Sequence, residues 1–114
     1  SYPAGPVRII SDSAPGSAPD AILRIVAERL SDAWGQWVVV MNQPGAGGAL
    51  AARAAGGATP DGATLFMPVS SAFVTMKGAA PNIPIDVPKD FAPISLIGEQ
   101  PMFITIACAS ERDQ

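Results

Sequence analysis

The sequence contains no histidine. This removes the commonest general base and the commonest metal ligand, so a Ser-His-Asp or Cys-His site cannot be assembled from this chain alone. There is one cysteine, Cys108, and no internal disulfide can form. Charged residues are scarce, at 15%, and the net charge is −3. No basic patch of the kind that nucleic acid requires is visible. No apolar run approaches the roughly 18 residues of a membrane-spanning helix. The opening Ser1-Tyr2-Pro3 reads as the start of a processed or trimmed chain, with a signal peptide removed.

What remains is small and apolar. The 114 residues fit one domain. Hydrophobic residues make up 48%, but 20 of them are alanine, and Leu, Ile, Val and Phe together number 27. That is enough for a core, much of it built from small side chains close to backbone.

Val7 to Ile10 reads as a buried strand. The loop "SDSAPGSAPD" follows, and Ser17-Ala18-Pro19-Asp20 fits a capping box, with the Ser17 hydroxyl taking the Asp20 N–H. A helix is predicted to about Trp34. Ile22, Leu23, Val26, Ala27, Leu30, Ala33 and Trp34 fall on its apolar arc, and Arg24, Glu28, Ser31 and Asp32 lie opposite. Asp20 reads as a cap rather than a catalytic acid, and Arg24 as part of a solvated face. Trp37 to Met41 is the second strand. The loop Gly45 to Gly48 leads into a helix through about Ala55, and Ala63 to Met67 is a third strand. A short helix over Phe73 to Lys77, an extended connector from Pro81 to Pro88, and strands at Phe91–Ile97 and Met102–Cys108 complete the expectation.

This alternation implies an α/β three-layer sandwich with a mainly parallel sheet. Ligands of such sheets sit beyond the carboxyl ends of the strands. Three loops rich in Gly and Ser fall there: Ser13–Ser17, Asn42–Gly48 and Pro68–Ala72. A nucleotide is disfavoured. Gly45-x-Gly47 begins a G-x-G-x-x-G pattern, but Leu50 holds its sixth position and no lysine follows as a P-loop requires. Backbone amides and helix N-termini suit a small carboxylate instead. The amides of Gly16, Ser17, Gly47, Gly48 and Ser71 are expected to face one depression.

The segments "APGSAPD", "NQPGAGGALAA", "ATPDGATL" and "VPKDFAPISLI" resemble the solute-binding proteins of tripartite tricarboxylate transporters, the Bug family of periplasmic binding proteins. The resemblance runs from Tyr2 to Cys108. Ser17 stands where a second glycine is usual, Pro68 where a small residue is, and Met41 and Arg53 where Glu is common. The family fold implies that residues 1–114 are the N-terminal part of lobe 1 of a two-lobed, type II binding protein, with lobe 2 and the returning C-terminal segment absent. It also implies a periplasmic, non-catalytic protein without cofactor or metal, which passes a small carboxylate, an organic acid or amino acid, to a membrane permease. By position the ligand loops are Ala14-Pro15-Gly16-Ser17, Ala46-Gly47-Gly48 and Ser70-Ser71-Ala72. A lobe missing its returning segment is expected to form a homodimer through residues after Asp90. Two other readings stay open. One is a phosphate- or nucleotide-binding α/β enzyme domain, with Asp12 and Asp20 as its best acid/base pair. The other is a truncated lobe that acts only as an assembly fragment.

Overall fold

The computed structural model describes residues 2–69 and 91–99. Strand β1 (Val7–Ser11) leads through a loop to helix α1 (Ala18–Trp34), then to β2 (Val38–Asn42). A single 3-10 turn at Ala46–Gly48 precedes α2 (Ala49–Gly56), and β3 (Thr64–Met67) follows. The helix expected at Phe73–Lys77, the connector 81–88 and the strand Met102–Cys108 lie outside the described residues.

The sheet order is β2-β1-β3, with both pairs parallel. The chain therefore moves one way from β1 to β2 and back past β1 to reach β3. With right-handed crossovers, that reversal puts α1 and α2 on opposite faces. Burial agrees. On one face Ile9, Leu23 and Ala27 form the core, with Val38, Val40, Leu65 and Met67 packed around it. On the other, α2 packs on β1 and β3 through buried Ala49, Ala51 and Ala52. Three alanines let this short helix lie close to the sheet. Because β1 is covered on both faces, Ile9 and Ile10 are both buried although they point opposite ways.

The buried stripe of α1 is narrower than the arc read from the sequence. Leu23 and Ala27 are buried and Val26, Leu30 and Trp34 half-buried, while Ile22 and Ala33 are exposed. The three strands among the described residues offer too little surface to cover the whole arc. Gly35 ends the helix in the left-handed region, φ 66°, and its N–H caps the Ser31 carbonyl. At the amino end of the sheet, the Tyr2 hydroxyl donates to the Gly62 carbonyl at 2.6 Å, and its ring meets Trp34 edge-on at 5.5 Å.

The strand expected at Phe91–Ile97 is not formed: residues 91–99 contain no regular secondary structure. Pro93 lacks the N–H a ladder needs, and β1, β2 and β3 pair only among themselves among the described residues. The segment touches β3 through Phe91, whose ring lies 5.0 Å from that of Phe66.

Leu23 is fully buried, whereas Ile22 beside it is 42% exposed. Leu23→Ala is expected to lower the unfolding free energy by roughly 2–5 kcal/mol through loss of burial and a residual cavity. Ile22→Ala should change it by no more than about 0.5 kcal/mol. Urea unfolding followed by circular dichroism distinguishes the two.

Candidate functional site

The registers Ser11↔Asn42 and Ser11↔Met67 bring the three strands to their carboxyl ends at one level. Three loops therefore leave the sheet side by side, at the reversal of strand order where α/β sheets hold ligands.

The first loop turns sharply. Ser17 N–H donates to the Ala14 carbonyl at 3.1 Å, and Gly16 has φ 86°. Proline second and a left-handed glycine third make Ala14-Pro15-Gly16-Ser17 a type II turn, which explains the dipeptide. The capping box is not formed. Ser17 makes no side-chain cap; its hydroxyl donates to the Ala14 carbonyl at 2.7 Å. The turn captures the hydroxyl before the helix can.

Asp20 is instead the centre of a network. Its side chain is only 3% exposed. Oδ2 accepts the Gly16 N–H at 2.9 Å and the Arg24 Nε–H at 3.0 Å, and Oδ1 accepts Asn42 Nδ2–H at 2.8 Å. Asn42 Nδ2 also donates to the Ser13 carbonyl at 3.0 Å, while Asn42 Oδ1 accepts an Arg24 Nη2–H at 2.8 Å. The Gly16 N–H, followed by Asn42 and Arg24, lowers the Asp20 pKa to about 2. Beneath this, the hydroxyls of Ser11 and Ser13 share a 2.6 Å hydrogen bond.

The second loop carries four successive positive φ values: 121° at Gly45, 52° at Ala46, 65° at Gly47 and 95° at Gly48. Only glycine adopts such angles at little cost, which accounts for three glycines in four positions. Leu50 Cδ1 would lie 3.1 Å from a Cβ placed on Gly45. Leu50 thus covers the turn where a dinucleotide fold would need a small residue.

The third loop is tied to the first by Asp12, whose Oδ1 accepts the Val69 N–H at 3.1 Å. Burial raises the Asp12 pKa, and that hydrogen bond opposes the shift.

Of the residues singled out from sequence, Ala14–Ser17 and Ala46–Gly48 occupy two adjacent loops of this edge, and Ser70, Ser71 and Ala72 lie outside the described residues. Several amides expected to face a ligand are already paired. Gly16 N–H goes to Asp20, Ser17 N–H to Ala14, and Gly48 N–H to the Gly45 carbonyl at 3.1 Å. The donors left to a guest must therefore come from elsewhere on the loops. Arg24 is not simply solvated, since it bridges Asp20 and Asn42. Asn42 was missed as a site residue. The i, i+4 spacing of Asp20 and Arg24 was a readable signal, as was a polar residue ending an apolar strand.

A parallel sheet between helices, with its loops gathered at one edge, is the architecture of a periplasmic-binding-protein lobe. The model of the tripartite tricarboxylate transporter family receptor, TctC, matches residues 22–113, and the chain belongs to that family. It is 38% identical over 104 residues to Protein BugT of Bordetella pertussis, covering 90% of this chain and 32% of that protein. A UPF0065 protein of Bordetella bronchiseptica is 38% identical over 109 residues, with 96% and 32% covered. Among solved structures, one described as a periplasmic transporter superposes with a TM-score of 0.69 at 40% identity, covering 75% of this chain and 29% of that one. The periplasmic binding protein BugD gives 0.53 at 35% identity, with 57% and 22% covered. The chain spans about a third of the length of the curated relatives it matches.

The two aspartates give opposite pH signatures. Asp20 is lowered from 3.8 to about 2, so its contribution to stability is complete above pH 4 and lost as pH falls through 2. Asp12 is raised, so its ionisation opposes folding, and that penalty is relieved as pH falls toward 3.8. Urea unfolding from pH 6 to 2 should show Asp20→Asn flattening the loss between pH 4 and 2. Asp12→Asn should change the profile only above that window.

Proposed function

We propose that this chain is part of the first lobe of a periplasmic solute receptor that captures a small carboxylate for a tripartite transporter and hands it to the membrane permease. The observation that carries the reading is the gathering of a Pro-Gly turn and a left-handed glycine turn at one sheet edge, in a chain of the TctC family. Loops of this kind offer neutral donors at close backbone approach. The Asp20 carboxylate is committed to Gly16, Arg24 and Asn42, so it serves the loops and not a chemical step. The role proposed is binding without catalysis. In the two-lobed receptor a second lobe would close over the ligand and exclude water; a single lobe leaves its donors competing with solvent.

Amide NMR titration of the 114-residue chain with succinate, citrate and AMP tests this. The carboxylates are expected to move the signals of Ala14, Gly16, Ser17 and Ala46–Gly48 with a dissociation constant of about 1 mM, near −4 kcal/mol. Tighter binding of AMP at the same loops, or no response there to either carboxylate at tens of millimolar, refutes the reading.

Self-association through residues after Asp90 forms part of the same proposal. Ile94 and Leu96 are 81% and 76% exposed, an apolar surface suited to a second copy. Light scattering at micromolar concentration should give a dimer that Ile94→Lys/Leu96→Lys returns to monomer. A monomeric parent chain overturns it.

A further inference from the structure

Asn42, Asp20 and Arg24 form a closed ring in which each side chain bonds to the other two. The residues come from different places: Asn42 ends β2, and Asp20 and Arg24 lie on the first turns of α1. Two further bonds reach the loop after β1, from Asn42 Nδ2 to the Ser13 carbonyl and from the Gly16 N–H to Asp20. The amide orientation of Asn42 is fixed by chemistry. Its oxygen faces a guanidinium, which can only donate, and its nitrogen faces a carboxylate and a carbonyl, which can only accept. A flipped amide would set donor against donor and acceptor against acceptor.

We propose that Asn42 is the positioning residue of this edge: through Asp20, Arg24 and the Ser13 carbonyl it locks the loop after β1 to the end of β2 and the start of α1, so that the three move as one body. The sheet ladder alone does not do this. Its last rung at this edge is the Gln43 N–H to the Ser11 carbonyl at 2.7 Å, and beyond it no backbone hydrogen bond joins the loop after β1 to β2 or its loop among the described residues. The ring continues the connection outward. A closed polar ring is a costly way to gain stability, because an apolar cluster of similar volume usually does as well. What it supplies is a single geometry, since each bond polarises and restrains the next. The purpose of that rigidity, a half-site prepared for its ligand, rests on the binding reading above. Its existence does not.

Nitrogen-15 relaxation on the 114-residue chain tests the lock without any ligand. In the parent, the amides of Ser13, Gly16 and Ser17 should have order parameters near the rigid value of roughly 0.85. In Asn42→Ala they should fall below roughly 0.6, while those of Ile9, Leu23 and Ala27 stay unchanged. The exchanged pair Asp20→Asn/Asn42→Asp keeps both Arg24 bonds and the Gly16 bond, reverses the bond between positions 20 and 42, and sets a carboxylate oxygen against the Ser13 carbonyl in place of the bond there. It should restore order at Gly16 and Ser17. Loops already mobile in the parent, loops still rigid in Asn42→Ala, a loss of order spread evenly over α1 and the strands, or an exchanged pair as mobile as the single variant would each overturn the proposal.

Discussion

A carboxylate withdrawn from water has to be answered by donors, and the carboxyl edge of this sheet is organised around that requirement at Asp20. An unpaired buried charge costs several kcal/mol, so each partner of Asp20 is held where it is needed. The Pro15-Gly16 turn presents an N–H to it. Arg24, one helical turn on, lies along the helix surface to reach it. Asn42 arrives from the neighbouring strand because parallel pairing sets the ends of β1 and β2 level. The turn, the strand register and the helix entry are in this sense one arrangement. A change to any of the three leaves an acceptor stranded.

The fold was legible where one segment carried its own signal. Val7–Ile10, the strand ending at Met41 and Ala63–Met67 were visible as apolar runs bounded by turns, and their observed limits differ by a residue at most ends. Parallel order followed from the alternation of strand and helix. The site was legible only in outline. Its two loops were found because Pro-Gly and Gly-x-Gly-Gly declare unusual backbone angles. Their internal bonding was not, because the bond from Asn42 to Asp20 spans 22 positions and depends on a register that no local pattern encodes.

The errors have the same origin. Ser17 and Asp20 have the spacing of a capping box, yet the tighter turn in front of them took the hydroxyl. Phe91–Ile97 has the composition of a strand, but a strand exists only with a partner, and none of β1, β2 and β3 pairs with it. Arg24 sits on the polar side of α1, which pointed to solvent. Its length lets the guanidinium reach back to the sheet edge while about half of the side chain stays wet.

Of the three described strands, the central one comes first in sequence. Synthesis therefore delivers β1 before either neighbour exists. Val7 waits for Val38, and Arg8 for Thr64, 56 positions later. Each parallel contact closes a long loop before it returns any energy, which places this sheet among topologies that assemble slowly for their size. Until β3 emerges, one edge of β1 stays open beside Ile9 and Ile10.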